Sequence, residues 1–145
     1  DLHSFPTRRS SDLAMLAIVR KMVSDLNYNI EIIGCPIIRE KDGLAKSSRN
    51  TYLNQAERSA ALILHKALTK GEEMVRSGEK SAKKVVAAIK EIIESEPLAK
   101  IDYVELVDSE KLKPVETIEG PILTALAVYI GKTRLIDNFF VDSLA

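Results

Sequence analysis

Apolar residues recur at helical spacing near the beginning of the chain. Between about Leu13 and Leu26 they fall on one face of a predicted helix. The next segment, YNIEIIGCPII, is β-branched and apolar, and Pro36 ends any regular strand pairing there. We therefore predict a short buried strand at about Asn29 to Cys35, with Cys35 as a small core residue. A helix followed by an apolar strand is typical of an α/β sheet.

Two further helices are predicted in the middle of the chain. Asn54 is a candidate N-cap with Glu57 three residues later, a variant of the capping box, and this helix is expected to run to about Arg76. A glycine two residues beyond that end is suited to close it. The second helix, SAKKVVAAIKEIIESE, is capped at Ser81 and ends before Pro97. Its apolar stripe comprises Val85, Ile89 and Ile92 or Ile93.

The last third of the chain changes to the periodicity of strands. Hydrophobic and polar residues alternate from Ile101 to Val107, and the segments GPILTALAVYIG and KTRLIDNFFV are two more strand candidates. Gly131 and Lys132 are suited to a tight hairpin between them. This half is predicted to form two helices on a small antiparallel sheet. In its last strand, we expect Asp137 to pair with Arg134 in a structural or interface role.

Composition narrows the possible functions. Twenty-one basic residues balance 21 acidic ones in 145 residues, which argues against a nucleic-acid partner. No apolar run approaches the roughly 20 residues that a membrane helix needs. The single cysteine excludes an internal disulfide and favours a reducing, cytoplasmic setting. With so few cysteine and histidine residues we predict no metal-ligating cluster, and His65 is interpreted as an ordinary helical histidine.

The first 13 residues, DLHSFPTRRSSDL, show neither helical nor strand periodicity and no apolar core of a signal peptide. They resemble the conceptual translation of a common sequencing adapter. We therefore expect residues 1–13 to be artefactual and disordered, and the chain to lack its original N-terminal part. The alternative is a disordered basic tail.

The stretch DGLAKSSRNTY concentrates groups that bind anions. Gly43 permits a turn with positive φ and close approach of a ligand. Ser47 and Ser48 offer hydroxyls and backbone N–H groups, Arg49 a planar cation suited to phosphate, and Lys46 a mobile charge. The spacing of a P-loop is absent. These residues favour a polyphosphate clamp following a strand, and the alternative is an ordinary turn with a helix cap.

Two longer segments carry a resemblance to a known family. RKMVSDLNYNIEIIGCPIIREKDGLAKSSRNTYL, with its GxPxxRE and DGLAxSSRN patterns, and TRLIDN near the end closely resemble the pantothenate synthetases, or pantoate–β-alanine ligases. The similarity runs from about Leu16 to the C-terminus. The family implies ligation of pantoate to β-alanine through a pantoyl adenylate, using ATP and Mg²⁺. It also implies a Rossmann-like domain, a smaller C-terminal domain, a cytoplasmic location and a homodimer.

The resemblance divides the chain into parts. Residues 14–38 would be the last helix and strand of the Rossmann-like domain, and residues 39–145 the small α+β domain. The loop at 42–50 resembles the KMSKS loop of nucleotidylyl transferases. The chain has no H-x-G-H motif, which in the family binds phosphates, so we expect it to be inactive by itself.

The resemblance also assigns roles to individual residues. Ser47, Ser48 and Arg49 would hold the ATP phosphates as catalytic residues, with Lys46 at a variable position beside them. The backbone of Ile38 would contact adenine. Gly34 and Pro36 would shape the same adenine-binding surface. Asp12 and Met15 fall on a family aspartate and on a glutamine that contacts pantoate.

Two other functions remain open on these grounds. A stand-alone binding or oligomerisation module would use the apolar face of the first helix and would have no activity. The other is an adenylate-forming nucleotidylyl transferase that acts on a different acid and has the same phosphate loop. The acid pocket lies outside the segments that carry the resemblance, so these segments do not distinguish the two acids.

Overall fold

The computed structural model describes residues 12–142, and the side chains from residue 15 onwards. The elements are α1 (Asp12–Asp25), a 3₁₀ turn (Ser48–Tyr52), α2 (Gln55–Ala60), α3 (Leu62–Arg76), α4 (Ala82–Glu94), β1 (Ala99–Asp108), β2 (Ile122–Ile130) and β3 (Thr133–Val141). The strands form one antiparallel sheet in the order β1-β2-β3. The predicted helices on a small antiparallel sheet are thereby confirmed.

The predicted helix after Asn54 is divided into α2 and α3 by a break at Ala61. Its capping box is confirmed: Asn54 Oδ1 accepts from the Glu57 N–H at 2.9 Å, and the Glu57 carboxylate accepts from the Asn54 N–H at 3.0 Å. At the other end Gly78 has φ +96° and donates to the Val75 carbonyl at 3.0 Å. A glycine with positive φ is typical of a helix C-terminus, and Gly78 ends α3 in this way.

Helices α3 and α4 pack together against one face of the sheet. The contact between them is close at Gly71, where an added Cβ would lie 2.6 Å from Ile89 Cδ1. The predicted stripe of α4 is buried, with Val85, Ile89 and Ile93 fully enclosed. Residues of β2 and β3 complete this core, which also contains Leu44 from the preceding loop.

The predicted strand at residues 29–35 is wrong. This segment has no strand pairing, and Ile30 and Ile33 are 60% and 73% exposed. Cys35 is an exposed free cysteine and not a core residue. A strand needs a neighbour for its backbone hydrogen bonds, and none of the described residues supplies one here. Apolar composition alone was therefore insufficient to predict strand structure.

The hairpin at Gly131 and Lys132 is confirmed, with Ile130 paired to Thr133 and φ +58° at Gly131. The predicted pairing of Arg134 with Asp137 is wrong. Residues three apart in a strand point to opposite faces, so these side chains diverge. Arg134 instead contacts Asp102 at 2.8 Å on the outer face.

The predictions for residues 1–11 lie outside the described residues. The artefactual origin of residues 1–13 and the domain boundaries at 14–38 and 39–145 stay predictions.

Candidate functional site

The candidate loop begins as a short hairpin. Arg39 and Ala45 form an isolated antiparallel bridge. On either side of it, the Lys46 N–H donates to the Ile38 carbonyl at 2.9 Å and the Glu40 N–H to the Leu44 carbonyl at 2.7 Å. The backbone reverses where Gly43 adopts φ +95°. The predicted role of Gly43 in a turn with positive φ is therefore confirmed.

The tip of this hairpin is attached to the helices. Leu44 is 3% exposed and joins the hydrophobic core. Gly43 lies against the ring of His65, a half-buried residue of α3. Asp42 contacts Arg58 of α2 at 2.9 Å, and the hydrogen bond from Arg58 lowers the pKa of the Asp42 carboxyl. Helix contacts thus support the tip on two sides.

The base of the hairpin is attached to the sheet through a pair of charges. The Arg39 guanidinium donates to both carboxylate oxygens of Asp137 on β3, at 2.7 and 3.0 Å. It also donates to the Gly43 carbonyl at 3.1 Å. Asp137 is 2% exposed, and its carboxylate accepts a further hydrogen bond from the Asn138 N–H. A bidentate, charge-assisted contact of this kind fixes orientation as well as distance.

The 3₁₀ turn continues directly from the hairpin. Ser47 has extended backbone angles, and its hydroxyl accepts from the Arg49 N–H at 3.2 Å, so it caps the turn. The Asn50 side-chain amide donates to the Ala45 carbonyl at 3.0 Å, tying the turn back to the hairpin. Asn50 Oδ1 is buried and finds no partner among the described residues.

The four predicted phosphate-binding residues are consecutive in sequence and lie at the start of the 3₁₀ turn. Lys46, Ser47 and Ser48 are exposed, Arg49 is half-buried, and the four follow one another around the start of the turn. Within residues 12–142 Arg49 forms no ion pair. Four other arginines of this region each contact a carboxylate: Arg39, Arg58, Arg76 and Arg134. Arg49 differs from these four in having no carboxylate partner among the described residues.

Ile38 is joined to this group by its carbonyl, which accepts from Lys46, and its side chain is 63% exposed. The remaining predicted residues lie in another part of the chain. Gly34 packs on α1, where an added Cβ would lie 2.7 Å from Leu16 Cδ2. Met15 is 54% exposed on α1, and Pro36 is exposed. No described hydrogen bond or ion pair joins Gly34, Pro36 or Met15 to the loop.

Sequence reasoning missed the residues that support the loop. Arg39 stands in the GxPxxRE pattern, which by itself indicates no role for it, and the sequence proximity of Arg134 to Asp137 indicates the wrong partner. A usable signal was present, since Asp137 alternates with Leu135 and Phe139 and so falls on the core face of β3. A carboxylate at a core position requires a charged or hydrogen-bonding partner.

Two further features of the described residues bear on the site. No cluster of three or more histidine, cysteine, aspartate or glutamate side chains in residues 12–142 is placed to bind a metal ion. In the same part of the chain, no helix combines the length and apolar character needed to cross a membrane.

Three of the known proteins that this chain is similar to illustrate the comparison. Pantothenate synthetase from Clostridium botulinum strain Langeland is 61% identical over 128 residues, which cover 88% of this chain and 46% of the relative. The crystal structure of pantothenate synthetase from Thermus thermophilus superposes with a TM-score of 0.80 at 35% identity, covering 88% of this chain and 46% of that one. Pantoate–β-alanine ligase from Francisella tularensis, complexed with β,γ-ATP and β-alanine, superposes with a TM-score of 0.52 at 26% identity, covering 88% and 40%.

The chain therefore spans about half the length of the curated relatives it matches. The family model described as pantoate-beta-alanine ligase matches residues 10–140, which is most of the chain. On this match, supported by the sequence identity and the fold, the chain belongs to the pantoate–β-alanine ligase family.

Proposed function

We propose that this chain carries the ATP-phosphate loop of an enzyme that joins pantoate to β-alanine through a pantoyl adenylate. Membership of the family supports the ligase class. The relative from Francisella tularensis, complexed with β,γ-ATP and β-alanine, supports the use of these two ligands. Within this assignment, residues 14–38 belong to a Rossmann-like domain and residues 39–145 to the smaller domain.

One observation carries the proposal. Arg49 forms no ion pair among residues 12–142, and it follows two exposed serines on a loop that is fastened to both the helices and the sheet. Adenylation brings the pantoate carboxylate to the α-phosphorus of ATP, forming a P–O bond while pyrophosphate leaves. Both reactants are anions, so positively charged groups and N–H donors held in place stabilise the transition state.

The residues of the loop fit the phosphates of ATP. The hydroxyls of Ser47 and Ser48 can donate to phosphate oxygens, and the Arg49 guanidinium can bind two of them at once. Lys46 adds a mobile charge. Mg²⁺ would accompany ATP and offset part of the negative charge of its phosphates. The Ile38 backbone with Gly34 and Pro36 would contact adenine, and Met15 would border pantoate.

The test uses a full-length ligase that contains this chain. Arg49→Ala should lower the rate of pantoate-dependent pyrophosphate release by about a hundredfold, because a transition-state contact to charge is lost. Arg76→Ala is the matched control, since Arg76 is an exposed arginine of α3 that pairs with Glu72. Near-normal pyrophosphate release by a folded Arg49→Ala enzyme would refute the assignment.

We also propose that the 145-residue chain alone does not catalyse the reaction. Its two histidines, His3 and His65, do not form an H-x-G-H motif. The complete enzyme is proposed to be a cytoplasmic homodimer. Pyrophosphate release by the purified 145-residue chain would contradict its proposed inactivity. Light scattering on the full-length enzyme tests whether it is a homodimer.

An oligomerisation module without activity is the second candidate. Exposed apolar side chains on α1 and directly after it favour this candidate: Met15, Ile18 and Met22 on the helix, and Leu26 in the turn that follows. This candidate predicts that the chain self-associates and that Ile18→Glu abolishes the association, which sedimentation would detect. It also predicts that Arg49→Ala has no effect on any reaction, in contrast to the ligase assignment.

A further inference from the structure

The contact between Arg39 and Asp137 joins positions 98 residues apart in the sequence. It connects the first arm of the loop hairpin to β3. The two hydrogen bonds from the guanidinium, at 2.7 and 3.0 Å, leave the ion pair little rotational freedom. The third, to the Gly43 carbonyl, holds the turn of the same hairpin.

Arg39 is also coupled to the phosphate-binding residues through the backbone. Its neighbour Ile38 accepts from the Lys46 N–H, and Arg39 itself is bridged to Ala45. The second arm then enters the 3₁₀ turn, with Asn50 tied to the Ala45 carbonyl. A displacement of Arg39 relative to β3 would therefore also displace Ser47, Ser48 and Arg49, because these residues directly follow the second arm of the hairpin.

Neither member of the pair is suited to touch the nucleotide itself. Asp137 is 2% exposed, and the side chain of Arg39 is only 25% exposed, with its guanidinium engaged by Asp137 and Gly43. A carboxylate would in any case repel phosphate. Any effect of these residues on catalysis must therefore act through the position of the loop.

We propose that Arg39 and Asp137 are positioning residues that set the loop 46–49 at the distance and angle required by the ATP phosphates. The inference rests on the proposed function, because it assigns support to that same site. Transition-state contacts are sensitive to displacement, and a misplacement of about 1 Å can reduce the rate on the order of a hundredfold. Loss of the bidentate geometry should thus impair adenylation even when the protein stays folded.

The experiment uses Arg39→Lys and Asp137→Asn in a full-length ligase that contains this chain. Lysine keeps the charge but lacks the planar pair of donors, and asparagine keeps the shape but offers one acceptor oxygen and no charge. Each variant should lower kcat/KM for ATP in pyrophosphate release by about tenfold or more. This decrease is smaller than the loss of about a hundredfold expected for a displacement of about 1 Å, because each variant keeps part of the contact. The KM for β-alanine, which reacts in the second step, should stay unchanged.

The matched control is Arg134→Lys. Arg134 pairs with Asp102 across the outer face of the same sheet, at 2.8 Å, and has no described contact with the loop. It should alter neither the KM for ATP nor the rate of pyrophosphate release. Thermal unfolding of all variants measures the purely structural effect of losing each ion pair.

The outcomes separate the two proposals. A lower melting temperature for Arg39→Lys with an unchanged rate and KM for ATP would show that the pair is only structural, and would overturn the inference. If Arg49→Ala were also harmless, the proposed function would fall and the inference with it. If Arg49→Ala impaired the enzyme and Arg39→Lys did not, only the positioning role would be lost. Should Asp137→Asn fail to fold, Arg39→Lys, at a partly exposed position, decides the question.

Discussion

The imidazole of His65 occupies the space where a side chain at Gly43 would begin. An added Cβ at Gly43 would overlap His65 Cδ2 and would lie 2.9 Å from Cγ. Gly43 also has φ +95°, a conformation that residues with a Cβ rarely adopt. Two independent constraints therefore require glycine at the tip of the loop.

Gly43→Ala should destabilise the folded chain by about 1–3 kcal/mol through backbone strain, with a further loss from the contact with His65. Gly78→Ala is the control, because Gly78 has φ +96° but nothing lies within 4 Å of an added Cβ. Denaturant unfolding should show a larger loss for Gly43→Ala than for Gly78→Ala. Equal losses would mean that His65 moves aside at no cost.

Gly71→Ala should also destabilise the chain, although alanine favours a helix over glycine by about 1 kcal/mol. The added methyl would lie 2.6 Å from Ile89 Cδ1 and 3.2 Å from Phe139 Cε1 in a closely packed core. The double variant with Ile89→Val removes Cδ1 and should recover part of the loss. A stabilised Gly71→Ala single variant in the same unfolding assay would contradict this account.

Asn54→Ala should reduce the free energy of unfolding by about 1 kcal/mol, the usual loss when a capping side chain is removed. The Asn54 oxygen satisfies the Glu57 N–H at the start of α2. Gln55→Ala, one residue later on an exposed position, provides the control and should be close to neutral. Denaturant titration measures both, and equal values for the two variants would argue against a stabilising cap.

The ion pair between Asp42 and Arg58 should make stability depend on acidic pH. The hydrogen bond from Arg58 lowers the pKa of Asp42 in the folded state below its ordinary value of 3.8. The contribution is therefore fully present above pH 3.8 and is lost as the pH falls through the folded pKa. Arg58→Gln should reduce the difference in melting temperature between about pH 6 and about pH 3, and an unchanged difference would refute the linkage.

Sequence alone was sufficient where the physical cause lies within a few residues. The N-caps Asn54 and Ser81 accept hydrogen bonds from N–H groups three residues later, and Gly78 lies two residues beyond Arg76, the last residue of α3. Each of these signals is local, so each could be predicted. The cluster of serine, lysine and arginine residues on which the proposed anion binding rests is visible in the sequence for the same reason.

Sequence reasoning failed where a residue depends on distant partners. The segment at residues 29–35 has the composition of a strand, but strand structure requires a second strand to pair with. Likewise Asp137 lies three residues from Arg134 and 98 residues from Arg39, and its contact is with Arg39. Side-chain direction in β3, rather than proximity in sequence, decides between them.

The link from Arg39 to β3 also has a consequence for the order in which the protein becomes functional. The anchor of the loop comes from residue 137, so the hairpin at 39–45 emerges from the ribosome long before its partner exists. Contacts of such large sequence separation form late, after the entropy of closing the intervening chain has been overcome. The loop at residues 46–49 should therefore be among the last parts to reach its final position, and only a fully synthesised β3 can hold it there.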